Sequence, residues 1–296
     1  MSDGFLGYDG ERDAEFREAI YGGSILRIPS TDVSLQLASL CRDQAIEILG
    51  KNPLDPSLYP RAATEAGDSG EEERLFFRKM GTLRRRLYES NACRDAIAKL
   101  IESLGLIASE HVYDAARSRL ISVDGHLSPA AASVYYAHRD TWYANPPSQI
   151  TWWMPLHDVT ADHTFEWLPE YFGRPVRNDS HTFDYDRWTS KGKALQIGLQ
   201  DADAGRRETY PRLQETLADA QRIGFDARFG EVIVFSGQHL HQTRCIDSGT
   251  SRLSIDFRTI HVGDYHDAKG PRNVDNRSTG DAFSGHAPLF EREQVR

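Results

Sequence analysis

Hydrophobic positions recur at helical spacing through most of residues 1–114, which are predicted to form a mostly helical N-terminal support. The clearest segment opens on a Ser-Thr-Asp cap and closes at Gly50, which are ordinary start and stop signals of a helix. The predicted elements are helices at 11–23, 30–50 and 72–105 and a short strand at 24–29.

The pattern changes near residue 115, where short runs rich in β-branched and aromatic residues replace the helical period. An insertion at 170–222 interrupts these runs and contains one predicted helix at 210–221. The β-rich runs are 115–125, 132–138, 149–159, 163–169, 225–237 and 251–262. This order predicts a mainly β core with flanking helices.

No internal repeat or linker divides the chain, so residues 1–296 are predicted to be a single domain. Its β core is assigned to residues 115–262. The C-terminal residues 263–296 are polar and irregular, and the pattern leaves open whether they form a flexible tail or a flap.

Composition removes several classes of function. The chain is 39% hydrophobic with a formal net charge of −9, which argues against a nucleic-acid-binding protein. The basic stretch 74–88 alternates Lys and Arg with Leu and Phe at helical spacing, which favours a solvated helix face over a phosphate site. Three cysteines without metal-site spacing indicate a reducing compartment. Because no apolar signal segment or membrane-length apolar run is present, we expect a cytoplasmic protein without a membrane anchor.

An aromatic-rich segment, 133–159, contains polar residues that a packed strand does not need. His138 and Asp140 are separated by Arg139, and residues i and i+2 of a strand share a face. The imidazole and the carboxylate would therefore meet at one point. The competing interpretation is a surface or hydrogen-bonded pair, because a chain with 11 histidines contains an H-x-D by chance on the order of once.

A second set of polar residues follows the strand at 231–235, where His239 and His241 lie on one strand face. In the next predicted strand, polar and apolar positions alternate strictly. The polar positions are Arg252, Ser254, Asp256 and Arg258. Their face is exposed to solvent or lines a polar pocket, and the nearby histidines favour the pocket. A buried guanidinium there needs an anionic partner, for which a carboxylate ligand is well suited.

Two histidines and a carboxylate on one side of a metal are typical of non-haem Fe(II) oxygenases. The chain has H-x-D at His138–Asp140, His241 shortly after "GEVIVF", and Arg252 eleven residues after His241, followed by Ser254. In this order and spacing it resembles the Fe(II)/2-oxoglutarate-dependent oxygenases, and among them the phytanoyl-CoA dioxygenase-like branch. The resemblance covers residues 115–262 well and implies a double-stranded β-helix core of the jelly-roll, cupin-like kind.

The resemblance implies that His138, Asp140 and His241 bind iron as the catalytic centre, with His239 as the alternative to His241. The implied reaction oxidises an unactivated C–H bond of a small polar metabolite, derived from an amino acid or a natural product. It consumes O2 and 2-oxoglutarate and releases succinate and CO2. Halogenating relatives replace the aspartate by a small residue, so the presence of Asp140 favours hydroxylation or a related oxidation.

Further roles are assigned around this centre. The candidates for binding the co-substrate are Arg252, Ser254, Arg258, Trp153 and Thr151. The candidates for binding the substrate are Arg139, Trp142 and Tyr143. Arg258 could equally be an ion-pair partner of Asp256, and Trp152 is expected in the core rather than in the pocket.

Two other functions are compatible with the same residues. A cupin-like metal dioxygenase or isomerase would keep the metal ligands but would not need Arg252 for 2-oxoglutarate. A non-catalytic β-barrel binding protein would need neither. In each case the partner is a small molecule.

Overall fold

The computed structural model describes residues 5–7, 13–50, 52, 54, 69–190 and 210–290. Within these residues the α-helices are α1 (Asp13–Tyr21), α2 (Asp32–Leu49), α3 (Ser69–Tyr88), α4 (Asn91–Ser103), α5 (Tyr185–Ser190) and α6 (Val262–His266). The first four lie in the region 1–114, which was predicted to be mostly helical. None of the helices in these ranges has the length and hydropathy needed to cross a membrane.

Helix α2 has the boundaries that its sequence predicts. Thr31 accepts a hydrogen bond from the backbone N–H of Ser34, and the Ser34 hydroxyl accepts one from the N–H of Thr31. This reciprocal cap satisfies two donors that the first turn would otherwise leave unpaired. At the other end Gly50 has φ of 80°, a left-handed conformation that glycine adopts without steric cost.

Two β-sheets form the centre of the molecule. The strands are β1 (Phe5–Gly7), β2 (Ile25–Ile28), β3 (His111–Ile121), β4 (Gln149–Pro155), β5 (Phe165–Trp167), β6 (Val232–Ser236), β7 (His241–Thr243), β8 (Arg252–His261) and β9 (Ala287–Pro288). The large sheet has the order β1-β2-β6-β4-β8-β3-β9, and β5 pairs with β7 in a small one. Apart from the β1–β2 pair, all the pairings between these strands are antiparallel. The predicted fold class, a mainly β, jelly-roll core with flanking helices, is confirmed.

The two faces of the large sheet have different environments. On β8, Leu253, Ile255 and Phe257 are buried in the main hydrophobic core together with residues of α2 and α4. Trp152 of β4 lies in the same core, stacked between Phe16 and Phe257, as its sequence context predicts. The alternate residues of β8 and β4 face the other way, into a cavity between the sheets and the loops. The predicted alternation of the β8 strand is therefore confirmed.

One predicted strand is wrong in part. Residues 129–135 form a 3-10 helix, and only His138 pairs with a strand, in an isolated antiparallel bridge to His241. Pro129 starts the turn, since its fixed φ suits the first position of a helix. The backbone is nevertheless extended at Arg139 before a second 3-10 turn begins at Asp140.

The helix predicted at 210–221 is also wrong. This segment has no helical turn, and the N–H of Leu213 donates instead to the carbonyl of Ala137. Leu213 and Leu217 pack into a small apolar cluster around Trp142. Although these leucines are spaced as in a helix, each packs through separate tertiary contacts. Those contacts override the helical propensity of the segment.

The described part of the C-terminal segment, 267–290, is a cover over the cavity and not a free tail. Asp275 accepts hydrogen bonds from Arg139 and Trp142, and β9 pairs with β3. Ala282, Gly285 and His286 line the cavity below. Of the two sequence-based alternatives, this arrangement corresponds to the flap. The single-domain boundaries stay a prediction.

Candidate active site

Three predicted residues meet at one point of the cavity wall. A ligand atom from each of His138, Asp140 and His241 lies within 4.8 Å of the other two. The Asp140 Oδ1 atom is 3.6 Å from Nε2 of His138 and 3.9 Å from Nε2 of His241. The two histidines are held side by side because each backbone N–H donates to the other's carbonyl at 3.0 Å. Two segments that lie about a hundred residues apart in the sequence are thereby joined at this point.

Backbone carbonyls determine which nitrogen of each imidazole faces the cluster. Nδ1 of His138 lies 2.7 Å from the carbonyl oxygen of Tyr136, and Nδ1 of His241 lies 3.0 Å from that of His239. In a neutral imidazole each Nδ1–H donates to its carbonyl, so both Nε2 lone pairs are left for the cluster. Metal-binding histidines in proteins are commonly oriented in this way.

The charge states also fit a divalent cation. Burial, with a contribution from His138, lowers the pKa of His241 to about 4, so its imidazole is neutral near pH 7. Burial alone would raise the pKa of Asp140, but Arg258 and His138 outweigh it and hold that pKa well below its usual value. Two imidazoles and one carboxylate are the donor set of a 2-His-1-carboxylate iron site.

His239 is not brought to this cluster. It is buried with Nδ1 at 3.1 Å from the carbonyl oxygen of Ser236 and Nε2 at 3.1 Å from that of Gly23. Both ring nitrogens are therefore directed at backbone oxygens, and neither is left for a metal. The geometry favours His241 between the two histidines that the sequence left open.

The arginines on β8 differ in their partners. Arg258 lies 2.7 Å from Asp256 and 3.7 Å from Asp140, so it belongs to an ion-pair network within the protein. Arg252 has no carboxylate within 4.0 Å among the described residues. Burial lowers the pKa of its guanidinium to about 10, so the group still carries its charge near pH 7. Its Nη1 donates to the carbonyl of His163, its Nε is buried without a hydrogen-bond partner in the described ranges, and its Cζ lies 5.9 Å from the Trp153 ring centre.

An unpaired guanidinium inside a cavity is unfavourable unless an anion binds to it. Arg252 therefore has the properties expected of the co-substrate residue, and Arg258 those of the structural alternative. Trp153 lines the cavity beside Arg252, with Phe165 and Phe225 packed edge-on against its ring. Ser254 faces the same side but is fully buried, outside the cavity wall, with its hydroxyl unpaired within the described ranges.

Thr151 lines the cavity but its hydroxyl has another partner. It donates to Asp140 Oδ2 at 2.7 Å, and Gln149 Nε2 donates to the same oxygen at 3.3 Å. Thr151 thus has a contact that orients the carboxylate, and its predicted contact with a co-substrate stays a prediction.

Two of the three predicted substrate residues do not reach the cavity. Arg139 is fully buried and donates to Asp275 and to the carbonyls of Tyr171 and Arg174. Because it lies between His138 and Asp140 on extended backbone, it must face away from them. Trp142 is also fully buried, with Nε1 donating to Asp275. Tyr143 does line the cavity, edge-on to His138 at 5.4 Å between ring centres.

Three other residues of the cavity wall were not identified from the sequence. Arg84 lies in the basic stretch interpreted as a solvated helix face, but it lines the cavity while Arg85 and Arg86 are exposed. Arg117 and Arg119 of β3 line it too, and the alternating "RSR" pattern of 117–119 was the signal that could have revealed them.

Comparisons with known proteins give similarities at the level of structure. No protein-family model and no curated protein matches the chain. EvdO2 from Micromonospora carbonacea var. aurantiaca, solved with 2-oxoglutarate, is 14% identical, with 90% of this chain and 100% of that chain covered and a TM-score of 0.42. The non-heme alpha ketoglutarate dependent epimerase SnoN from nogalamycin biosynthesis is 15% identical, with 94% and 100% covered and a TM-score of 0.44.

A third solved structure is the Kdo hydroxylase KdoO, a non-heme Fe(II) alphaketoglutarate dependent dioxygenase in complex with cobalt(II). It is 13% identical, with 90% of this chain and 92% of that chain covered and a TM-score of 0.40.

Proposed function

We propose that the protein is an Fe(II)/2-oxoglutarate-dependent oxygenase that oxidises a C–H bond of a small polar metabolite. The observation that supports this most directly is the placement of two complementary features in one cavity. One is a cluster of two imidazoles and a carboxylate, His138, Asp140 and His241. The other is Arg252, a buried cation with no carboxylate partner among the described residues.

In this proposal the three clustered residues hold the iron through Nε2 of each histidine and Oδ1 of Asp140. Arg252 binds the distal carboxylate of 2-oxoglutarate, for which a planar guanidinium provides paired donors. Bound iron, together with O2 and 2-oxoglutarate, supplies the oxidising power, and the co-substrate leaves as succinate and CO2. The protein positions the ligands, keeps the His241 imidazole neutral and surrounds the reacting centre with aromatic walls.

The finer assignments follow the sequence motifs. Membership of the phytanoyl-CoA dioxygenase-like branch, a cytoplasmic location and a substrate derived from an amino acid or a natural product stay predictions. Oxidation is proposed and halogenation is not, because the halogenating relatives replace the motif's aspartate by a small residue and Asp140 is present here.

The two alternatives make different demands on Arg252. A cupin-like enzyme that uses no 2-oxoglutarate leaves a buried guanidinium without any function. A metal-free binding protein leaves two oriented imidazoles and an ionised carboxylate without a cation. The oxygenase is the function that uses both features.

The test is anaerobic addition of Fe(II) and 2-oxoglutarate, for which we expect a weak visible charge-transfer band from the chelate. Asp140→Ala and His241→Ala should each abolish the band and succinate formation, because each removes a ligand that no other described residue replaces. His266→Ala, at an exposed histidine, is the matched control and should behave like the unaltered protein.

Each negative result selects one of the alternatives. Iron binding without the band would favour a cupin-like enzyme. Absence of iron binding would favour the metal-free binding protein.

A further inference from the structure

The charged residues of the cavity wall have an excess of positive charge. Within the described ranges the wall contains five arginines and three aspartates. They are Arg84, Arg117, Arg119, Arg252 and Arg258, and Asp114, Asp140 and Asp256. The two charges of Fe(II) and the two of 2-oxoglutarate cancel, so the excess counted over the described residues is unchanged after both have bound. The chain as a whole has a net charge of −9, which makes a cationic cavity a local feature.

Three of these arginines form a group that the proposed iron and co-substrate sites do not use. Nε of Arg84, in α3, donates to the carbonyl of Ser118 at 3.2 Å, which places Arg84 beside Arg117 and Arg119 of β3. Burial, and then repulsion by Arg119 and Arg117, lowers the pKa of Arg84 to about 10. Like charges assembled in a buried site favour binding of an anion.

A bulge in β3 brings Asp114 to the same side as this group. The pairing of β3 with β8 shifts between Asp114 and Arg117. Residues three apart would lie on opposite faces of a regular strand, but both line the cavity here. Bulges commonly redirect side chains near functional sites. Asp114 balances Arg117 at 2.6 Å, and Asp256 is shared by Arg119 and Arg258.

A second part of the wall is aromatic. It is formed by Tyr143, Phe183, Tyr185, Trp188 and Tyr210. Tyr143 connects it to the metal cluster through the edge-on contact with His138, and the Phe183 ring centre lies 5.5 Å from that of Tyr143. The indole Nε1 of Trp188 is buried and has no hydrogen-bond partner in the described part of the chain.

The metal cluster lies where the two parts of the wall meet. On one side Arg258 lies 3.7 Å from Asp140 and continues through Asp256 to Arg119. On the other side Tyr143 adjoins His138. A molecule with its acidic group at the arginines and its apolar body against the rings would therefore pass the reacting centre.

We propose that the substrate is an organic anion, with a carboxylate or phosphate group bound by Arg84, Arg117 and Arg119 and a planar or apolar body packed on the aromatic wall. This inference rests on the proposed oxygenase function and narrows its substrate class. Arginine suits such groups because its donors match their oxygens in pairs. The aromatic faces bind the body by burial and stacking.

The test uses matched acids and amides on the protein loaded anaerobically with Fe(II) and saturating 2-oxoglutarate. The probes are benzoate with benzamide, 2-naphthoate with 2-naphthamide, and phenyl phosphate, and calorimetric titration measures each Kd. At least one acid should bind about 10-fold to 100-fold more tightly than its amide, the range expected of hydrogen bonds between charged groups. Its affinity should fall as salt is added.

Variants of one residue localise the effect. Arg84→Gln should reduce the preference for the acid by about 10-fold while binding of the amide is unchanged, and Arg84→Lys, which keeps the charge but loses the paired donors, should restore only part of it. Arg85→Gln, at the exposed neighbour on α3, is the control and should retain the full preference.

The outcomes separate the two proposals. If the charge-transfer band forms but no acid binds more tightly than its amide, or if Arg84→Gln leaves the preference intact, the anionic substrate is wrong and the oxygenase stands. If the band does not form, the oxygenase proposal itself fails.

Discussion

Asp140 uses its two carboxylate oxygens for different contacts. Oδ1 faces Nε2 of both histidines, while Oδ2 accepts from Thr151 and lies 3.7 Å from Arg258. An oriented carboxylate loses little conformational freedom when a metal binds. In the proposed metal site, the affinity for the metal should therefore also depend on residues that do not touch it.

The first prediction concerns Thr151. Thr151→Val keeps the shape of the side chain but removes the hydrogen bond to Asp140, so the affinity for Fe(II) should fall about 10-fold to 100-fold. Anaerobic Fe(II) titration without 2-oxoglutarate measures it. Thr243→Val, at a cavity threonine with no hydrogen bond to Asp140, should bind Fe(II) normally. Equal losses in both variants would contradict the role given to Thr151.

A second residue-scale prediction concerns Arg252. Arg252→Gln should raise the KM for 2-oxoglutarate about 10-fold to 100-fold and leave Fe(II) binding unchanged, because a charged hydrogen-bonded contact is lost. The free protein should be no less stable to urea, since the substitution removes a buried cation that has no carboxylate partner in the described ranges. An unchanged KM would show that Arg252 does not bind the co-substrate.

At the scale of elements, one carboxylate makes several of the contacts that attach the cover formed by 267–290. Asp275 accepts hydrogen bonds from Arg139, from Trp142 and from the backbone N–H of Val176. Arg139 directly precedes Asp140, so the same contact connects the cover to the backbone that presents the metal ligands. The middle residue of the H-x-D motif, Arg139, is therefore paired with the C-terminal segment.

Asp275→Ala should lower the free energy of unfolding by about 3–5 kcal/mol, because it leaves the fully buried Arg139 without its counter-ion. Urea unfolding measures the change. Asp267→Ala removes an exposed carboxylate from the same segment and should change stability by less than about 1 kcal/mol. Similar effects of the two substitutions would show that the contact with Arg139 does not stabilise the fold.

For the whole molecule, the ion pairs inside the cavity should make the free energy of unfolding depend on pH. Burial by itself would raise the pKa of Asp256, but Arg119 and Arg258 outweigh it and hold the pKa far below its ordinary value. A carboxyl group with a lowered pKa in the folded state contributes stability above its unfolded-state pKa of about 3.9. That contribution is lost as the pH falls through the folded-state pKa.

We therefore expect the free energy of unfolding to fall with pH below about pH 4, and to fall less steeply in Asp256→Asn. Urea unfolding at a series of pH values compares the slopes. Asp43→Asn, at an exposed position on α2, should keep the slope of the unaltered protein. If Asp256→Asn has that same slope, the network around Asp256 does not control acid stability.

The sequence by itself determined the features that depend on local period and spacing. Alternation on β8 separated Leu253, Ile255 and Phe257 from the polar residues facing the cavity. The H-x-D spacing placed His138 and Asp140 on one side even though the predicted strand there is mostly a 3-10 helix. Capping chemistry likewise located both ends of α2. These features follow from the backbone over a few residues, so no distant contact was needed to predict them.

Only the tertiary structure decided which polar residues face the cavity and which are paired elsewhere. Arg139 and Arg258 have carboxylate partners within the chain, whereas Arg252 has none in the described ranges. The bulge in β3 turned Asp114 to the side of Arg117, and the packing of α3 turned Arg84 inward. The physical reason is that an arginine's partner lies across the fold, so its identity depends on which strands pair and in what register.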